Sequence, residues 1–153
     1  MKHAVPVICM ILFFTVTSVL GAGPDKVAFE TWCQEIHLVG YSYGGIKEND
    51  PGVYTAAWKN TTGDIIGVQL HPLSNFPAFL QPVKFTMPVL FTYKKLSAIY
   101  TDALHVGQVA VKYEKSDRVL MITQIDPTGQ TKPKTKEELS ILLDQIKPEL
   151  ILQ

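Results

Sequence analysis

Charge and cysteine are both scarce in this sequence. Only 18% of the 153 residues are charged, 14 basic side chains face 14 acidic ones, and Lys and Arg form no run. Nonspecific nucleic-acid binding needs a basic excess that displaces counterions from phosphates, so the composition excludes that class of partner. Disorder is excluded as well, because 46% hydrophobic residues and a mean hydropathy of +0.13 supply enough apolar surface to bury a core.

The two cysteines are Cys9, in an apolar N-terminal segment, and Cys33. Once that segment is removed no internal disulfide can form, and a chain of about 130 residues must rely on its core, which its length allows. The ordinary role of a lone cysteine like Cys33 is that of a small buried hydrophobe; the alternatives are a nucleophile or a link to a second chain. Signatures of bound groups are missing too. There is no H-E-x-x-H, no Cys pair, no G-x-x-x-x-G-K and no G-x-G-x-x-G, and His37, His71 and His105 stand far apart, so neither a metal site nor a cofactor is expected.

Long strongly apolar runs are also few. The clearest is Ala4–Leu20, 17 residues without a charge, preceded by Lys2 and His3 and ending in Val19-Leu20 with Gly21 next, so that Val19 and Gly21 fall at the −3 and −1 positions of a cleavage site. This is the layout of a secretory signal over residues 1–21, with a single domain over 22–153, secreted or periplasmic. A retained anchor is the alternative, although a helix of this length spans only about 25 Å, short of the bilayer core. After cleavage no stable membrane span remains.

Asp25 can cap a helix over Lys26–His37 that places Phe29, Trp32, Cys33 and Ile36 on one stripe. Tyr41–Gly52 is rich in turn formers and reads as a loop, with room for a short strand at its start. Val53–Trp58 and Ile65–His71 form a hairpin around Lys59–Asp64, and Asn60-Thr61-Thr62 is an N-glycosylation sequon for a eukaryotic host. Pro72–Pro82, with Phe76, Phe79 and Leu80, should pack over the sheet or line a groove. Val83, Phe85, Met87, Val89, Phe91 and Tyr93 alternate with more polar neighbours, and Pro88 makes this an edge strand or splits it at a bulge. Ser97–Thr101, Val109–Tyr113 and Val119–Ile125 complete the strands. Thr135 and Glu138 form a capping box for a helix carrying Leu139, Leu142, Leu143 and Ile146, ended by Pro148. The expected architecture is α+β: a mostly antiparallel sheet of five or six strands, with an N-terminal and a C-terminal amphipathic helix on one face. Polar turns between strands, instead of helices, exclude a doubly wound parallel sheet.

One motif carries chemistry. Gly40-Tyr41-Ser42-Tyr43-Gly44, with His37-Leu38-Val39 before it and Gly45 after it, resembles over nine residues the nucleophile elbow of α/β-hydrolases. That resemblance implies Ser42 as nucleophile, with an acid such as Asp64 or Asp102 and a base such as His71 or His105; Asp102 and His105 are the nearest to each other. The elbow family follows its serine with a packed helix, whereas Ile46–Gly52 has no apolar stripe and ends in Pro51-Gly52. Tyr41, Tyr43, Phe76 and Phe79 lie in expected loops, where amphipathic aromatics favour recognition of a small molecule or a protein.

The reading is an exported binding or accessory domain without catalysis; the alternative is a serine hydrolase at Ser42. Self-association through an edge strand or Cys33 is a third expectation. Intact mass of the exported protein should begin at Ala22; a product that retains Met1 would mean an anchor in place of a signal.

Overall fold

The computed structural model describes residues 23–82 and 86–153; the expected signal segment and the Val83–Phe85 part of the expected edge strand lie outside the described residues. The fold is α+β around one antiparallel sheet. Its strands are β1 (Tyr41–Asp50), β2 (Val53–Asn60), β3 (Ile65–Pro72), β4 (Val89–Tyr93), β5 (Leu96–Ala103), β6 (Val106–Tyr113) and β7 (Arg118–Ile125). Their order is β1-β2-β3-β7-β6-β5-β4, two meanders joined where β3 pairs with β7 from Ile65↔Ile125 through Pro72↔Arg118.

Seven strands stand where five or six were expected. The extra one is β1, since Tyr41–Asp50 is a strand and not a loop. It is an outermost strand, so it needs little apolar content; Lys47, Glu48, Asn49 and Asp50 are exposed along it. Its pairing with β2 slips between Tyr43 and Ile46, where Gly45 takes φ +89°, and such a bulge blunts an edge against further pairing. Pro88 lies just before β4, the outermost strand of the other side.

Helix α1 (Lys26–Glu35) begins where the Asp25 carboxylate accepts from the Ala28 N–H at 2.9 Å. Helix α2 (Lys136–Ile146) begins at the capping box: the Glu138 N–H donates to Thr135 Oγ1 and the Thr135 N–H donates to Glu138 Oε2. Each cap satisfies donors that a helix start leaves open, worth about 1 kcal/mol. Phe29, Trp32 and Cys33 of α1 and Leu139, Leu143 and Ile146 of α2 share one core with Ala56, Trp58, Ile66, Val68, Leu70, Val109, Val111, Leu120 and Ile122 of the sheet. The Trp32 indole N–H donates to the buried Ile146 carbonyl at 3.1 Å, tying α1 to the end of α2.

The Pro72–Pro82 connection contains a 3-10 helix, Leu73–Leu80. Its Leu73, Phe76 and Phe79 pack on Ala110, Val119 and Met121, a separate small core. Alternation along β7 sends Val119 and Met121 to one face and Leu120 and Ile122 to the other, so the sheet is covered by α-helices on one side and by this segment on the other.

The connection from β7 to α2 crosses the helix-bearing face. Tyr100 Oη donates to the Lys134 carbonyl at 3.1 Å, and the Lys134 N–H donates to Gln124 Oε1 at 3.1 Å. The crossing is so close that a Cβ on Gly107 would lie 2.5 Å from the Lys134 carbonyl oxygen. Gly107→Ala should therefore cost about 2 kcal/mol through overpacking. Gly67→Ala, whose nearest contact is 3.9 Å, should cost far less; urea unfolding midpoints of the two variants check the difference.

Candidate functional site

Strand geometry decides the fate of the serine motif. Tyr41 and Tyr43 turn toward the helix-bearing core, and the Tyr43 ring lies 5.2 Å from that of Trp58. Ser42 between them is exposed and faces away. Gly40, at φ +82°, precedes a strand and not the strand-to-helix turn of an elbow. Ser42 stands in register with Lys59, which faces Ile65, then Ile125, then Val106, next to His105. Four strand spacings separate them, about 19 Å along the sheet, and Asp102 is one strand further.

Asp102 and His105 occupy the end of β5 and the β5–β6 turn, both exposed. His105 has a structural job: its carbonyl accepts from the Asp126 N–H at 3.1 Å, and its ring packs against Gly129. His71 lies on the sheet face away from the α-helices, as Ser42 does, but six residues along β3 from Ile65, the position level with Ser42; its Nε2 is 2.9 Å from Gln69 Oε1, its ring is edge-on to Phe79 at 5.2 Å, and burial lowers its pKa. Cys33 is wholly buried, and burial raises its thiol to about 12, which leaves no accessible thiolate for a nucleophile or an interchain link.

The four aromatics expected to converge are divided by the sheet. Tyr41 and Tyr43 pack on the helix side; Phe76 and Phe79 pack on the other, with the Lys112 ammonium 5.6 Å from the centre of the Phe76 ring. Of the four, Tyr41 lines a cleft between the segment that links α1 to β1 and helix α2.

That cleft opens where the chain leaves α1. It has a volume of about 440 Å³, with Leu38, Ile66 and Leu142 providing apolar surface and His37, Tyr41, Lys134 and Gln145 providing polar groups. Ile66 lies beneath it, wholly buried on β3, so the apolar surface open to solvent comes mainly from Leu142. Burial and the neighbouring Asp64 carboxylate raise the Tyr41 phenol above its ordinary 10.0, so it stays protonated and able to donate. A second hollow of about 430 Å³ shares Lys134 and adds Asp64, Gln124, Thr131 and Glu138. The volume of the Tyr41 cleft is of the order of small-molecule sites, and polar groups supply as much of its lining as apolar ones. Lys134, Leu142 and Ile66 were not singled out in the sequence; Ile66 and Leu142 read there only as core positions, and nothing marked Lys134.

Lys134 is held in place by the loop before it. The buried Asp126 carboxylate accepts from the N–H and Oγ1 of Thr128 at 2.8 and 2.6 Å, and from the N–H and Oγ1 of Thr131 at 2.6 and 2.8 Å. These bonds, led by the Thr128 hydroxyl, hold its pKa well below the ordinary 3.8.

Among the described residues no group of three His, Cys, Asp or Glu side chains is placed to hold a metal ion, and no helix is long and apolar enough to cross a membrane. Compared with family models, curated proteins and solved structures, the chain matches none.

Because the native Asp126 is depressed, the folded state binds fewer protons than the unfolded one, and its contribution is present above about pH 4 and fades as pH falls further. Asp126→Asn should lower stability at neutral pH, and its difference from wild type should narrow in acid; denaturant midpoints across that range check the sign.

Proposed function

We propose that the protein is a small exported domain that binds a ligand without transforming it, and that the ligand enters the cleft between the His37–Tyr41 segment and α2. The observation that carries this reading is the cleft itself: apolar surface from Leu142 and Leu38 over the buried Ile66, beside His37, Tyr41, Lys134 and Gln145. It suits a small amphipathic molecule with an apolar body toward Leu142 and an acceptor toward Lys134 and the Tyr41 hydroxyl. Both walls are rigidly held. The α1 side is anchored by Trp32 on Ile146, and the Lys134 side by Tyr100, Gln124 and the Asp126 loop. Preorganisation of this kind lowers the entropic cost of binding.

The hydrolase alternative has less support. Its nucleophile faces solvent on an outer strand, about 19 Å along the sheet from the turn that carries His105. An acyl transfer needs its base within hydrogen-bond reach of the serine.

An anionic apolar dye such as anilinonaphthalene sulfonate provides the test. Fluorescence should saturate with one site per chain and fall at least tenfold in affinity in Gln145→Trp, which closes the mouth from an exposed rim position. Ser42→Ala should bind as wild type does. Labelling of the wild type by a fluorophosphonate, lost in Ser42→Ala, would overturn the reading in favour of the hydrolase.

A further inference from the structure

The two outer strands of the sheet are unlike. β1 carries a glycine bulge and a run of charged side chains, the usual guards against edge-to-edge pairing. β4 has neither: Val89-Leu90-Phe91-Thr92-Tyr93 pairs with β5 in unbroken register and contains no charge. Met87, Val89 and Leu90 are 70%, 50% and 65% exposed. Among the described residues no strand pairs with its outer side.

The turn geometry shows which backbone groups point outward. Lys94 and Lys95 form a two-residue turn with φ 45° and 70°, closed by Tyr93↔Leu96. In such a type I′ hairpin the closing pair exchanges both hydrogen bonds, so Val89, Phe91 and Tyr93 spend their N–H and C=O groups on β5. Leu90 and Thr92 direct theirs outward, and the nitrogen of Pro88, also on the outer side, has no hydrogen to leave unpaired.

An outward pattern of Leu90 and Thr92 about a central Phe91 complements itself under a two-fold axis. Leu90 of one chain meets Thr92 of the other in two reciprocal hydrogen-bonded pairs, and Phe91 faces its own copy between them. No like charges oppose each other. The Lys94 ammonium, which could guard the edge, is drawn back to Asp144 at 2.7 Å, and Lys136 is paired with Glu137 at 3.3 Å. Beside the strand, an open groove of about 530 Å³ runs between β4 and α2, with Phe91 and Ile141 on its walls and those two ion pairs neutralising its rim. A neutral rim repels neither sign and offers no attachment to a highly charged peptide, whereas a second copy brings the matching apolar strand.

We propose that β4 is a homodimer interface, at which two copies pair antiparallel about Phe91 to form one continuous sheet. This surface is separate from the cleft at His37–Tyr41 and α2, so either proposal can fail without the other.

Sedimentation of the purified protein from low to high micromolar concentration should show a monomer–dimer equilibrium, and Leu90→Lys, at an exposed position, should weaken it at least tenfold. Register is tested by cysteine variants under mild oxidation. Phe91→Cys should cross-link to itself, because directly opposed residues of a non-hydrogen-bonded pair bring Cα atoms to about 4.5 Å. Thr92→Cys, opposite Leu90 and offset from its own copy, should not. A wild type that stays monomeric at every concentration overturns the proposal, and so does a dimer that Leu90→Lys leaves intact.

Discussion

A single seam holds this molecule together: the antiparallel pairing of β3 with β7. Every other described strand pair joins sequence neighbours across a short connection, so the chain makes two local meanders, β1-β2-β3 and β4-β5-β6-β7, which share no other ladder among the described residues. The seam decides which side chains share a face, because a slip of one residue would turn Val68 and Leu70 away from Leu120 and Ile122. It also brings the segment after α1, over the first meander, beside α2, over the second, and so creates the cleft between that segment and α2. Being the most non-local contact in the sheet, it is expected to form late and to set the pace of folding.

The sequence was most legible where one residue type has one physical job. Thr135 and Glu138 announced a helix start by their spacing, and the alternation through Val119–Ile125 announced a strand with two distinct faces. It was least legible at the edge. Tyr41–Asp50 looks like a loop because glycines and charges serve an outermost strand as well as they serve a turn. The register of β3 on β7 left no local mark, since nothing near Ile65 indicates Ile125. The cleft was hidden for the same reason. Tyr41 was visible as an aromatic near glycines, but Ile66, Lys134 and Leu142 join it only after three separate segments have been brought together.

The serine motif shows how strand geometry overrides a local pattern. A nucleophile elbow works because a tight turn pushes its serine out above a sheet, next to a helix N-terminus. In β1 the same residue types fall under the two-residue period of a strand, which buries Tyr41 and Tyr43 on one side and leaves Ser42 alone on the other. The glycines that would have permitted the elbow serve the turn before β1 and the bulge within it.

The hydrogen bond from Trp32 to the Ile146 carbonyl also has a bearing on synthesis. Phe29 finds Tyr54 on β2, a partner close to it in the chain, whereas the acceptor of the Trp32 N–H lies 114 positions further on. During synthesis α1 can therefore settle on β1 and β2 well before the carbonyl that fixes its indole is made, and the core closes last at the end of α2.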